Sequence, residues 1–297
     1  MNLLSSYSGG ESPLASRRAL VWQSAGFLAL LTIIYAPILA SMVDHWRIVP
    51  DYSHGFLIVP LALIFAYEKK YHLQAAKIRG SWWGVLLLAT GLMLLAVGQL
   101  GSLLSPLRAG YVFSLMGLVL LFLGQEVFML LLFPMGFLLL MVPLPQSVVN
   151  VVAFPLQLIA AQWAVSVLHL IGIPVLLEGN IIHLAGGDLF VAEACSGLRS
   201  LMALMTLGVV FAHFFRRDSR LQQFLLVAST IPIAIVVNSL RVAVTGLLAH
   251  EYGQDMAKGF IHEFQGLITF SLAFLLLLGE SRVLARFSKS HRGEDSY

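Results

Sequence analysis

The chain has 297 residues, of which 59% are hydrophobic and only 11% are charged. Its mean hydropathy of +0.87 and its low charge exclude an ordinary soluble domain, in which roughly a quarter of the residues are charged. The formal net charge of +3 does not call for a nucleic-acid partner, because basic residues in multi-pass membrane proteins anchor cytoplasmic loops. We therefore predict an all-α polytopic membrane protein whose solvent is the lipid bilayer.

A helix that spans a membrane needs about 20 apolar residues. Eight segments are apolar enough to be predicted as spanning helices: 20-41, 54-70, 82-100, 104-123, 126-142, 195-213, 221-249 and 260-281. Residues 1-19 form a polar N-terminal tail and residues 282-297 a polar C-terminal tail. We expect the whole chain, 1-297, to be a single integral-membrane domain.

The basic residues predict the orientation of these helices. Most of the 18 lysines and arginines fall on one side of an eight-helix arrangement: Arg17 and Arg18; Lys69, Lys70, Lys77 and Arg79; Arg216, Arg217 and Arg220; Arg282, Arg286, Lys289 and Arg292. The opposite loops hold only Arg47, Arg108 and Lys258. The positive-inside rule then places both termini in the cytoplasm.

Residues 147-171 are apolar but are predicted not to span. A ninth span would move the Arg216 to Arg220 cluster and the C-terminal tail to the outside. Gln162, Ser166 and His169 recur at helical spacing and form one polar stripe, which suits an interfacial or re-entrant helix. The alternative is a ninth span whose polar stripe faces the interior of the helix bundle.

Residues 172-194 contain three short strand-like runs, at 175-177, 181-184 and 189-191, separated by glycine-rich turns. We predict a small β-meander on the outer face. Together with the preceding helix it forms an outer-face segment, 147-194, which leads directly to Cys195.

Cys195 is the only cysteine of the chain. A lone thiol either packs as a small apolar side chain or reacts. Arg199 lies four residues further on, and the start of a helix adds positive potential, so both would favour the thiolate. The predicted topology also places Cys195 and His262 at the outer ends of two helices and Arg241 in the outer third of a third helix, and this convergence favours chemistry.

An arginine within a spanning helix costs roughly 2.5-3.5 kcal/mol at the helix centre, so Arg241 requires an explanation. It serves a site at the outer face, or its side chain extends to the outer headgroups. Asn238 lies three residues earlier on the same helical face and could hold the guanidinium or a substrate carbonyl.

His262 is the natural general acid or base beside a thiol, because its unperturbed pKa is near neutrality. His54 also begins a predicted helix at the outer face. No second histidine completes an H-E-x-x-H motif with His262 and Glu263, so we predict no metal. A P-loop and a G-x-G-x-x-G after a strand are also missing from the sequence, so we predict no nucleotide cofactor.

Several motifs, taken in order, resemble those of the exosortases, bacterial membrane relatives of archaeosortase. They are Tyr52-Ser-His-Gly-Phe, Val142-Pro-Leu-Pro, Glu178-Gly-Asn, Glu193-Ala-Cys-Ser-Gly-Leu-Arg, Asn238-Ser-Leu-Arg and the glycine-flanked His262. The resemblance implies that Cys195 is the nucleophile and that Arg241 and His262 are essential. Supporting or substrate-binding roles are expected for Arg199, Asn238, His54, Glu193 and Ser196.

The resemblance also implies a function. Exosortases are cysteine transpeptidases that recognise a C-terminal sorting signal on exported proteins: a short motif, often Pro-Glu-Pro, a transmembrane helix and a basic tail. We expect the bacterial inner membrane, a site facing the periplasm, and release of the product to an envelope nucleophile or to water. The alternative is a transporter or flippase for an envelope polysaccharide precursor, with Arg241 and the polar stripe of 147-171 lining its path.

Overall fold

The protein is described here by a computed structural model, which covers residues 13–191, 197–214, 220–253 and 260–294. These residues are mostly helical and include one three-stranded antiparallel sheet. The backbone forms two compact units. The first contains Met1–Val49 and Gly55–Pro145, and the second contains Pro50–His54 and Gln146–Tyr297.

The first unit is a bundle of apolar helices. Its elements are α1 (Pro13–Ile48), α2 (Gly55–Glu68), α3 (Lys70–Ala75), α4 (Trp83–Leu100), α5 (Leu104–Leu118), a π-helical extension (Val119–Leu123), α6 (Gln125–Phe137) and a 3-10 turn (Leu138–Met141). The helices α4 and α5 approach each other closely because α4 carries glycines at seven-residue spacing, Gly84, Gly91 and Gly98, all of them buried. A Cβ atom at Gly91 would lie 2.5 Å from the backbone nitrogen of Ser114. Small residues at such positions let apolar helices pack backbone to backbone.

Hydrogen bonds define two opposite ends of this unit. At one end the backbone N–H of Lys77 donates to Glu126 Oε2 (2.8 Å), and Arg79 forms a β-bridge with Gly124. At the other end Trp46 Nε1 donates to the carbonyl of Met141 (3.0 Å), and Gly55 lies directly against the Trp46 ring. The helices α2 and α6 therefore run from one end of the unit to the other, although each is short.

The second unit combines helices with the sheet. Its elements are α7 (Gln146–Leu170), β1 (Leu176–Glu178), β2 (Ile181–Leu184), β3 (Gly187–Phe190), α8 (Gly197–Phe214), α9 (Arg220–Ala228), α10 (Thr230–Tyr252) and α11 (Phe260–Glu294). The strands pair in the order β1-β2-β3, so the predicted β-meander is confirmed. Leu168 of α7, Ile182 of β2 and Val242 of α10 share one fully buried cluster. The sheet therefore packs on one end of α7 and α10.

The predicted helix 221-249 is two helices that meet at Ser229. Pro232 explains the break. A proline ring has no N–H to donate to the carbonyl four residues earlier and clashes with that carbonyl, which here belongs to Ala228, the last residue of α9. Hydrogen bonds from Ser229 to Leu225 and from Ile233 to Ser229 continue the helical path on either side.

The eight-span layout is confirmed only in part. Among the described residues, six helical segments are long and apolar enough to cross a membrane: Trp22–Ile48, Trp83–Leu100, Leu104–Leu123, Gln146–Leu170, Arg220–Tyr252 and Gly266–Leu284. Gln125–Met141 and Leu201–Phe214 are apolar but shorter. The predicted span 54-70 contains the 14-residue helix α2, which is about 21 Å long and so falls short of a hydrocarbon core of about 30 Å.

The helix α7 also differs from expectation. Residues 147-171 were predicted not to span the bilayer, yet the 25 residues of α7 are long and apolar enough to cross it. The polar stripe of Gln162, Ser166 and His169 is exposed, while Ala161 and Ala164 on the opposite face are fully buried. The stripe therefore does not face the interior of the second unit, although the length of α7 fits the ninth span of that alternative.

Candidate functional site

Arg241 is buried within the second unit. It lies near the middle of α10, and only 9% of its surface is exposed. Its guanidinium lies against α11: a Cβ atom at Gly266 would be 3.7 Å from Arg241 Nη2 and 3.9 Å from Cζ. The side chain therefore packs between helices, and the alternative in which it extends to the headgroups is not observed.

Gly266 determines how closely the guanidinium approaches the backbone of α11. A glycine leaves open the space that a larger side chain would fill. His262 precedes Gly266 by four residues within the same helix, and residues four apart lie on the same helical face. The backbone of His262 is therefore one helical turn from the contact with Arg241.

The packing of α8 against α10 places the start of α8 at the same level. Gly208 lies against Thr230, because a Cβ atom there would be 2.6 Å from Thr230 Cγ2. Leu201 and Val237 share one core cluster with Ala273 of α11. The two helices are therefore antiparallel. Moving one residue from Leu201 toward the start of α8 covers the same distance along the pair as moving one residue from Val237 toward Arg241. Continued for four residues, this register brings Gly197 level with Arg241.

The structure describes some of the remaining predicted site residues and leaves others outside the described ranges. Cys195, Glu193 and Ser196 lie outside the described residues. Arg199 is the third residue of α8 and His262 the third residue of α11, and the structure describes their helical backbone only. The predicted helices 195-213 and 260-281 correspond to α8 and α11, and the roles of these two residues stay predictions.

Asn238 lies on α10, three residues before Arg241, and is only 5% exposed. Two such polar residues, one turn apart and both buried in an apolar helix, form a local polar patch. Thr245, one turn further on, donates its hydroxyl to the backbone carbonyl of Arg241 (2.9 Å). Polar groups therefore follow one face of α10 through its middle.

His54 belongs to the second unit, in the segment Pro50–His54. The 3-10 turn Pro50–Tyr52 packs against α8, so this segment lies beside one of the three helices that converge on the site. His54 is 8% exposed, and its Nδ1 is 3.1 Å from the carbonyl oxygen of Asp51. The structure thus keeps His54 as a candidate for a supporting role.

A charged cluster crosses the sheet. His183 Nδ1 on β2 lies 2.7 Å from Asp188 Oδ1 on β3, and His183 Nε2 lies 3.5 Å from Glu178 Oε2 on β1. The hydrogen bond to Asp188, with the charges of both carboxylates, raises the pKa of His183 above its usual value. Because one imidazole links all three strands, the cluster holds together the meander that precedes residues 192-196.

Sequence reasoning missed two features. Gly266 was noted only as a flank of His262, although its four-residue spacing from that histidine was a usable signal. Asp188 was assigned to a turn, but it lies in β3 opposite His183. Cross-strand register was needed to find that pair, and the sequence does not specify it.

The basic end of the second unit is opposite the sheet. Leu226 of α9 and Leu277 of α11 share a fully buried cluster with Ala212 of α8, so the ends of these helices that carry Arg220 and Arg282 lie together. Arg241, Gly266 and the start of α8 lie toward the sheet. Among the described residues, no group of three or more His, Cys, Asp and Glu side chains could hold a metal ion.

The fold and the site together define a multi-pass membrane protein with a buried cationic centre where three helices converge. The family model described as "Transmembrane exosortase (Exosortase_EpsH)" matches residues 46–279, which is most of the chain. The chain therefore belongs to the transmembrane exosortase family. Searches of curated proteins and of solved structures returned no match.

Proposed function

We propose that this chain is a membrane cysteine transpeptidase that cleaves the C-terminal sorting signal of exported proteins. The buried guanidinium of Arg241 supports this most strongly, because it lies against α11 one helical turn from His262. Cys195 precedes the first residue of α8 by two residues. An extended chain covers about 3.5 Å per residue. The thiol of Cys195 can therefore reach the level of Arg241, which is also the level that the α8–α10 register gives to Gly197.

The first proposed step forms a thioester. The Cys195 thiolate attacks the scissile carbonyl, and the tetrahedral intermediate collapses with loss of the amine, which takes a proton from His262. The charge on the carbonyl oxygen would be stabilised by the Arg241 guanidinium and by backbone N–H groups at the start of α8. Asn238 and Arg199 would orient these groups, and His54, Glu193 and Ser196 would line the approach of the peptide.

The second step releases the product. An amine or hydroxyl of an envelope component attacks the thioester, gives its proton to His262 and expels the Cys195 thiolate. With water as the nucleophile the same residues give a protease. No metal or other cofactor is required by either step.

The orientation is part of the proposal. We place the protein in the bacterial inner membrane with both termini in the cytoplasm and the site facing the periplasm. In the second unit the site lies toward the sheet and away from Arg220 and Arg282, which agrees with a basic cytoplasmic face. In the first unit Lys77 and Arg79 share one end with Glu126, and that end would also be cytoplasmic.

We propose that α7 lies obliquely at the outer face and does not cross the membrane. Val149 and Ala153, near its start, pack with Met202 in the second turn of α8. Its other end packs with the sheet. A full crossing beside α8 would instead pair one end of α7 with the far end of α8. The exposed polar stripe then faces headgroups and water.

The experiment that tests the function uses a reporter protein ending in motif, transmembrane helix and basic tail, taken from the same genome. Coexpressed with the wild-type chain, the reporter should lose its C-terminal helix. Cys195→Ala and Cys195→Ser at the same membrane level should leave it uncleaved. Full processing by both variants would show that Cys195 is not the nucleophile.

The transporter alternative receives less support. The stripe of Gln162, Ser166 and His169 is exposed on the outside of the second unit and so does not line a path through it.

A further inference from the structure

The first unit contains an apolar groove that the proposed chemistry does not use. It has a volume of about 830 Å³ and lies between α1, α2, α5 and α6. Of its lining residues Thr32, Trp46 and Tyr111 carry polar side-chain N–H or O–H groups; the Thr32 hydroxyl donates to the carbonyl of Leu28 (2.8 Å) and Trp46 Nε1 to that of Met141 (3.0 Å). The occupant of such a groove must itself be apolar along its length.

The groove is as long as the hydrocarbon core of a membrane is thick. On α1 its lining runs from Leu28 to Trp46, about 27 Å at 1.5 Å per helical residue. A hydrocarbon core is about 30 Å thick. An acyl chain belongs to one leaflet and covers about half of that depth, whereas a single transmembrane helix covers all of it.

The concave shape follows from the covalent structure of the helices. Pro60 lies inside α2 and Pro134 inside α6, and both line the groove. An internal proline removes a backbone hydrogen bond and bends the helix. Both prolines lie on the walls of the groove, so the groove includes fixed features of two helix backbones and does not result from the rotamer of one side chain.

One end of the groove is close in the chain to a candidate residue of the site. Phe56 lines that end and is two residues from His54 in the sequence. At the same end Trp46 Nε1 donates to the carbonyl of Met141. An occupant that spans the groove would therefore contact Phe56, two residues along the chain from His54.

We propose that this groove is the docking site for the transmembrane helix of the sorting signal. The proposal rests on the proposed function, which supplies a substrate with such a helix. Association of helices within a bilayer depends on van der Waals packing, which a long apolar groove provides. Docking there would fix the depth of the substrate and hold its motif at the outer end.

Photo-crosslinking tests the contact directly. The chain carries Cys195→Ala to retain the substrate, and p-benzoylphenylalanine replaces either Leu63 or Ile64. These neighbours on α2 are 66% and 48% exposed, but only Leu63 lines the groove. The reporter should crosslink at least tenfold more at position 63. Equal yields, no reporter adduct at position 63, or a lipid adduct alone at that position would overturn the proposal.

Filling the groove tests its use in the reaction. Ala66 lines the groove, and Ala66→Trp, in the chain with its native Cys195, should slow reporter processing at least tenfold. Ile64→Trp adds the same ring at nearly the same depth outside the groove and should process normally. Normal processing by Ala66→Trp at a wild-type membrane level would contradict the proposal.

The two proposals fail in different ways. If the wild-type chain leaves the reporter intact, the transpeptidase function fails, although selective crosslinking at Leu63 would still establish docking. The wild-type chain can instead cleave the reporter while the crosslinker at position 63 gives no selective adduct and Ala66→Trp processes normally. In that case the transpeptidase function stands and only the groove assignment is wrong.

Discussion

Arg241 is the residue on which the account of the site depends most. A cation in an apolar helix is costly unless it is used, so the sequence alone is enough to propose a functional role for Arg241. Its neighbour could not be predicted, because the contact with Gly266 depends on how α10 and α11 pack. The sequence also left open whether the guanidinium extends to the headgroups, and burial at 9% exposure answers that question.

Replacing Arg241 tests the proposed electrostatic role. Removing one group that stabilises an oxyanion costs about 10²–10³ in rate, so Arg241→Ala should slow reporter processing by about that factor. Arg241→Lys keeps the charge but loses the planar fork and should also be impaired. Arg47→Ala is the control, because Arg47 is an exposed arginine paired only loosely with Asp44 (3.9 Å). Unchanged processing by Arg241→Ala would contradict the role.

Gly266 offers a graded test of the same contact. Gly266→Ala places its Cβ atom at 3.7 Å from the guanidinium, an ordinary contact, so processing should be close to normal. Gly266→Leu should displace Arg241 and reduce processing about as much as Arg241→Ala. Gly279, on the same helix, has no atom within 4 Å of an added Cβ, and Gly279→Leu serves as the matched control. Full activity of Gly266→Leu would exclude a positioning role for the glycine.

At the scale of elements, hydropathy and turn chemistry were sufficient for most of the fold. They predicted the three strands within two residues. They also predicted the apolar segment 221-249, which the structure forms as α9 and α10 because the effect of Pro232 is local. The prediction that 147-171 does not span depended on charge counting and stays a prediction. The length of α7 alone qualifies it as a span, so only packing against Met202 argues for an oblique position.

The sheet should respond to pH through His183. Its folded-state pKa is raised, so its stabilising contribution is fully present below the unfolded value of about 6.5 and is lost as the pH rises through the folded value. The melting temperature of the wild type should exceed that of His183→Gln at pH 6, and the gap should shrink by pH 9. Asp188→Asn should reduce the same gap, whereas an equal gap at both pH values would exclude the protonated histidine as its cause.

At the scale of the whole molecule, the proposed orientation requires the sheet and the site to face the periplasm. Cysteines introduced into a Cys195→Ala background and probed with a membrane-impermeant maleimide test this. Leu176→Cys on β1 and Leu170→Cys at the end of α7 should react in intact cells, since these residues are 60% and 86% exposed. Arg220→Cys, at the basic end, should react only after lysis. The reverse pattern, in which Arg220→Cys reacts in intact cells and Leu170→Cys and Leu176→Cys are protected, would contradict the orientation and would favour a spanning α7.

The most direct measurement is mass spectrometry of the enzyme trapped on its substrate. Coexpressed wild-type chain and reporter, denatured in acid, should contain a covalent adduct between Cys195 and the carbonyl carbon of the scissile bond. Hydroxylamine should release the adduct, as expected of a thioester. Continued cleavage of the reporter by Cys195→Ala, or an acyl group found on another residue in the wild type, would contradict the account.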